Sequence, residues 1–146
     1  MASLLRDAGY ATAREVVAAR GNHRVNLVGP ILASTSWQTK DGGFSQADFA
    51  IDWGNRQVTC PNGATSSRWV EDRSHEGAAV VRARFPPSAC RPCKTREQCT
   101  RSSNKWCMGR RLTLRPQAEY EAIQQARAQE DTREWREEYA YRAGVE

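Results

Sequence analysis

A chain of 146 residues suits one domain, and 39% hydrophobic content leaves that domain a thin core. The net charge of +5 is unevenly placed: residues 82–115 hold ten Arg or Lys against the single acid Glu97, while 116–146 hold eight acids against four Arg. The first residues carry no signal or transit pattern, and no apolar run approaches the roughly 18 residues that span a bilayer, so no membrane partner is expected and the expected compartment is the cytoplasm.

In chain order, Leu4-Leu5 reads as a strand stub, and Thr12-x2-Glu15 as a capping box opening a helix over about 13–20 that Gly21 ends. Val25 to Val28, closed by Gly29-Pro30, reads as a short buried strand, giving a βαβ unit. Residues 31–48, with Asp41-Gly42-Gly43 as a turn signal, read as a loop anchored by Trp37 and Phe44. Phe49, Ile51 and Trp53 alternate, Gly54-Asn55 turns the chain, and Gln57 to Thr59 return, so a β-hairpin delivers Cys60. Further strands fit Ser67 to Val70 and Val80 to Phe85, Pro86-Pro87 then halts regular structure ahead of the cysteine cluster, and the character of the chain switches after Leu112-Thr113-Leu114. Pro116 suits the first turn of a helix over 117–130, and Asp131-x2-Glu134 opens a second over about 132–142.

Cys60, Cys90, Cys93 and Cys99 give C-x29-C-x2-C-x5-C, with Cys107 as a fifth. Two residues between thiolates let both sulfurs of Cys90 and Cys93 reach one tetrahedral ion at about 2.3 Å. Cys60-Pro61-Asn62-Gly63 reads as a knuckle-like turn whose glycine permits the tight backbone. A structural Zn²⁺ and reduced, unligated thiols both remain open. Catalytic zinc needs an open coordination position with a base nearby, and nucleophilic cysteine needs a paired histidine; neither is suggested. His23 and His75 read as solvated loop residues.

Around the cysteines, Arg91, Lys94, Arg96, Arg101, Lys105, Arg110 and Arg111 interleave with Trp106, which suits a surface contacting DNA phosphates. The alternative is a solvated basic loop. At the other end of the composition, Tyr139, Arg142 and Glu146 are spaced three and then four apart, within roughly 60° of one helix face, so they can address one site.

These residues support a family. The chain resembles the back half of a DDE-type insertion-sequence transposase with an RNase H-like core. Asp7-Ala8-Gly9-Tyr10 is similar to the setting of that family's second catalytic aspartate, and Tyr139-x2-Arg142-x3-Glu146 to its signature around the third acid. Between them, Cys60 to Gly63 and Cys90 to Thr100 follow the order of the family's cysteine-bearing insertion.

The resemblance implies an α/β fold: an incomplete RNase H-like core, built from a βαβ unit over 1–30 and C-terminal helices over 116–146, with a small β-rich insertion over 31–115. It implies two Mg²⁺ ions acting in DNA cleavage and strand transfer, with Asp7 and Glu146 as ligands and Tyr139 and Arg142 beside them. The implied partners are transposon-end and target DNA, together with a separate N-terminal transposase segment or a second copy of the chain, and the protein would be nucleoid-associated when bound. The family's first aspartate would lie upstream of Asp7, so the expectation is a fragment, inactive alone. The competing expectation is a free-standing, Zn-stabilised nucleic-acid-binding module.

Overall fold

The computed structural model describes residues 2–5, 12–23, 25–31, 34–101 and 109–143; at 2–5, 23, 25–28, 142 and 143 the description is of the backbone alone. The chain is mixed α/β and forms two compact units, one of Met1–Ala33 with Gln117–Glu146, the other of Ser34–Pro116.

In the first unit, strand β1 (Ala2–Leu5), helix α1 (Ala13–His23) and strand β2 (Val25–Val28) make the expected βαβ element. The strands pair in parallel, Ala2 opposite Val25 and Leu5 opposite Val28, and a parallel pair requires the crossover that α1 provides. The capping box forms: Thr12 N donates to Glu15 Oε2 at 2.8 Å and Glu15 N to Thr12 Oγ1 at 3.3 Å. Gly21 does not end α1, which runs on to His23, so His23 is helical and not a loop residue. A glycine inside a helix costs only about 1 kcal/mol, too little to stop a turn whose neighbours still bond.

Helix α5 (Gln117–Glu130) packs on α1 through buried Val16 and Ala122, flanked by Val17, Ala19 and Ile31. The Arg20 guanidinium donates to Gln125 Oε1, and Ile31 N donates to Glu130 Oε1 at 2.5 Å. Helix α6 (Arg133–Ala143) opens on Thr132 where Asp131 was expected. The Thr132 hydroxyl donates to the Gln129 carbonyl at 2.6 Å and accepts from Trp135 N at 3.3 Å, so one side chain closes α5 and caps α6.

The second unit begins with regular structure in the segment expected to be a loop. Helix α2 (Trp37–Lys40) is capped by Ser36, whose hydroxyl accepts from Thr39 N at 3.4 Å. A 3₁₀ turn over Gln46–Asp48 is fixed by Ser45 N donating to the Asp48 carboxylate at 2.8 Å. Strands β3 (Ala50–Asp52) and β4 (Gln57–Thr59) form the expected hairpin, Ile51 opposite Val58.

Strands β5 (Arg68–Arg73), β6 (Ala79–Arg84) and β7 (Arg111–Leu114) make an antiparallel sheet in that order. Alternation sorts its faces: Val81, Ala83, Leu112 and Leu114 are buried, while Arg82, Arg84, Arg111 and Thr113 are exposed. With Phe49, Val58 and Phe85 the buried face completes the core of this unit, the Phe49 and Phe85 rings lying 5.6 Å apart. Two one-turn helices, α3 (Pro87–Cys90) and α4 (Arg96–Cys99), occupy the stretch after β6. Among the described residues no helix is long and apolar enough to cross a membrane.

Candidate functional site

Four cysteines that are up to 39 positions apart line one cavity of about 570 Å³ in the second unit. Cys60 arrives at the end of β4, Cys90 at the end of α3, Cys93 just beyond it, and Cys99 at the end of α4. All four are partly buried and reduced.

The Cys60 turn has the geometry that a thiolate requires. Cys60 N donates to the Ala64 carbonyl at 2.8 Å and Gly63 N to the Cys60 carbonyl at 2.9 Å, leaving Ala64 N to donate to Cys60 Sγ at 3.2 Å. Gly63 closes the turn at φ +87°, a left-handed backbone that side chains disfavour.

Asn62 leaves the same turn to reach the opposite wall. Its Nδ2 donates to Cys93 Sγ at 3.0 Å and to Thr95 Oγ1 at 2.5 Å, and the Thr95 hydroxyl lies 3.5 Å from Cys93 Sγ. Hydrogen bonds from Thr95, helped by Asn62, hold the Cys93 thiol below its ordinary pKa. Burial pushes the Cys99 thiol up; the Arg110 guanidinium opposes that, and the neighbouring Cys90 and Cys60 sulfurs add to it. Neither Asn62 nor Thr95 was anticipated from sequence, although the turn that carries Asn62 was.

The donor set is soft sulfur, the chemistry that suits zinc. Yet among the described residues no three Cys, His, Asp or Glu side chains are drawn close enough together to hold an ion. The cavity is a ring of donors around a space, without a closed coordination sphere.

The expected phosphate-contacting residues divide. Arg91, Lys94, Arg101 and Arg111 are exposed, whereas Arg96 is partly buried on the cavity wall. Arg101 is held at the surface, 2.6 Å from Asp41 Oδ2 with its guanidinium 4.0 Å above the Trp37 ring. Arg110 is not on the surface at all: it is 8% exposed, its Nη1 donates to the Cys99 carbonyl and lies 3.6 Å from Cys99 Sγ, and its guanidinium sits 5.2 Å from the Phe49 ring. Burial against Phe49 and the cavity removes it from reach of an external phosphate. Lys105 lies outside the described residues.

Of the four residues expected at the acid site, Asp7 and Glu146 lie outside the described residues. Arg142 is on α6, with only its backbone described, and Tyr139 stacks on Trp135 one turn earlier, rings 4.9 Å apart and 12° from parallel. That stacking braces α6.

Compared with known proteins, the chain matches the family model of the transposase DDE domain over residues 59–146. No curated protein and no solved structure matches it. The matched stretch opens at the last residue of β4, takes in all four cavity cysteines and the strands of the β5–β6–β7 sheet, and runs through α6 to Glu146. The chain belongs to the transposase DDE domain family, whose members bind DNA and use divalent metal ions.

Proposed function

We propose that these 146 residues act in DNA transposition, supplying two acids of a DDE metal site together with part of the surface that holds DNA. The observation that carries this reading is the family match over 59–146, which includes Tyr139, Arg142 and Glu146 in their signature spacing. Supporting it, β1, which precedes Asp7, and α6, which precedes Glu146, belong to one compact unit. We read that unit as part of an RNase H-like core and the unit of Ser34–Pro116 as its insertion.

Carboxylate oxygens are the hard donors that Mg²⁺ takes, so Asp7 and Glu146 would hold the metal. Two Mg²⁺ ions supply activation of a water or 3′-hydroxyl and stabilisation of the leaving oxygen. Arg142, four positions before Glu146 in sequence, would orient that carboxylate or contact a phosphate. Tyr139 braces α6 through Trp135.

On this reading Cys60, Cys90, Cys93 and Cys99 would have to draw in from their present separations to close on one structural Zn²⁺. The Ala64 amide, Asn62, Thr95 and Arg110 are placed to offset thiolate charge. Elemental analysis should return one zinc per chain, and finding none removes this assignment.

The test of the main reading is nicking of supercoiled plasmid in Mg²⁺. Together with a segment bearing the family's first aspartate the chain should nick, and Asp7→Asn or Glu146→Gln should abolish the product. Nicking that persists in either variant overturns the reading. A second reading, a Zn-stabilised nucleic-acid-binding module, draws on Ser34–Pro116 being a compact unit with its own core. It predicts salt-sensitive DNA binding that is indifferent to both acids and no nicking in any combination.

A further inference from the structure

The Cys90-Arg91-Pro92-Cys93 segment is bent into a tight turn, with Cys93 N donating to the Cys90 carbonyl at 3.2 Å. A turn closed by that hydrogen bond holds its end Cα atoms within about 7 Å, and disulfides span about 4.4–6.8 Å, so this pair can be bridged with little backbone movement. Cys60 and Cys99 reach the same cavity from separate elements, the ends of β4 and α4. Joining either of them to another cysteine closes a longer loop, whereas the turn has already closed the one between Cys90 and Cys93.

Two donors converge on Cys93 Sγ. Asn62 Nδ2 can only donate, so in its contacts at 3.0 Å with Cys93 Sγ and 2.5 Å with Thr95 Oγ1 both partners accept. That leaves the Thr95 hydroxyl hydrogen for Cys93 Sγ, 3.5 Å away. A sulfur that accepts twice is favoured where negative charge collects during thiol–disulfide exchange, whether it attacks or departs. The way in suits an acidic disulfide: all four cysteines are partly exposed, Lys94 is exposed at the cavity, Arg96 and Arg110 also line it, and no carboxylate lines it among the described residues.

We propose that Cys90 and Cys93 form a reversible dithiol–disulfide switch, oxidised by a small acidic disulfide of the glutathione class. Cys93 Sγ, giving up its proton, attacks one sulfur of the oxidant; the oxidant's S–S bond breaks, and the first glutathione leaves and takes up a proton. Cys90 Sγ, giving up its proton, then attacks Cys93 Sγ in the mixed disulfide. The Cys90–Cys93 bond forms and the second glutathione departs as a thiol. Two cysteine thiols are thereby oxidised by two electrons, one glutathione disulfide is reduced to two thiols, and excess reduced glutathione drives the exchange backwards. The bridge consumes two of the four cavity sulfurs, and the remaining Cys60 and Cys99 are too few to close on a structural zinc ion. This last consequence rests on the zinc reading above; the bridge itself does not.

The test is incubation of the metal-free full chain with oxidised glutathione, then alkylation of the remaining thiols and peptide mapping by mass spectrometry. The peptide carrying Cys90 and Cys93 should be two hydrogens lighter and unalkylated, with Cys60 and Cys99 alkylated, and excess reduced glutathione should restore both thiols. Cys90→Ser removes the resolving sulfur and should accumulate a glutathione adduct on Cys93 that wild type does not retain. No bridge in wild type, a bridge to Cys60, Cys99 or Cys107, or no adduct on Cys93 in Cys90→Ser overturns the proposal. Zinc uptake by the reduced and the oxidised chain separates the two readings. Reduced chain should bind one zinc and oxidised chain none; no uptake by either removes the zinc reading and leaves the bridge standing, while equal uptake by both overturns the gating.

Discussion

Arg110→Met tests how the cysteine cavity is held. The side chain is 8% exposed and makes three contacts that methionine cannot reproduce: a hydrogen bond to the Cys99 carbonyl, a guanidinium 3.6 Å from Cys99 Sγ, and a cation–π contact 5.2 Å from the Phe49 ring. A hydrogen bond from a charged donor contributes about 1.5–3 kcal/mol and a cation–π contact about 0.5–1 kcal/mol. Methionine recovers part of this by filling the same volume and sparing a buried charge, which leaves a net loss of about 2–3 kcal/mol. Removing the cation also removes the influence that holds the buried Cys99 thiol down, so its pKa rises further. The sign follows from linkage. A thiol whose folded pKa is raised favours the fold while it is protonated, and that contribution is lost as pH climbs from the unfolded value, about 8.5, through the folded one. Arg110→Met should extend this alkaline loss to higher pH. The assays are urea unfolding of metal-free protein and mass-resolved alkylation of Cys99 against pH. A stability loss under about 0.5 kcal/mol, or a Cys99 alkylation midpoint that is unchanged or lower, would refute the reasoning.

Other outcomes can be checked in both units. In metal-free protein at neutral pH, Cys93 should alkylate ahead of Cys99, because Thr95 and Asn62 stabilise its thiolate while burial suppresses that of Cys99; Asn62→Ala should narrow the difference. Gly63→Ala places a side chain at φ +87° and should cost about 1–2 kcal/mol, read by thermal melting, while Gly21→Ala in the open part of α1 should raise stability slightly. Phe85→Ala, at a residue 1% exposed that meets Phe49, should cost about 3–5 kcal/mol; a loss below about 1 kcal/mol would show that the core of Ser34–Pro116 lies elsewhere.

Local chemistry was the part of the structure that the sequence made readable. The capping box at Thr12 and Glu15, the hairpin around Gly54-Asn55, the Cys60 turn and the helix after Pro116 each rest on residues a few positions apart, and each forms. Residues 31–48 escaped because α2 and the 3₁₀ turn are three or four residues long and show no hydrophobic period; their only signals were Ser36 and the Ser45-x2-Asp48 box. Arg110 escaped for a different reason. A run of charges does not reveal which cation turns inward, and it was Phe49, 61 positions earlier, that gave this one an apolar wall. The gathering of four cysteines on one cavity was legible in outline from their spacing, while the Asn62 and Thr95 hydrogen bonds that tune Cys93 belong to tertiary structure alone.

The claim that Asp7 and Glu146 share a metal site is tested most directly by Fe²⁺-directed hydroxyl-radical cleavage of the chain. Fe²⁺ substitutes at oxygen-donor sites and cuts the backbone around its ligands, and the fragments can be read by mass spectrometry. The account predicts cuts near both Asp7 and Glu146, suppressed together by excess Mg²⁺, with Asp7→Asn diminishing the cut at Glu146. Cuts at only one of the two, or Asp7→Asn leaving the Glu146 cut at full strength, would contradict it.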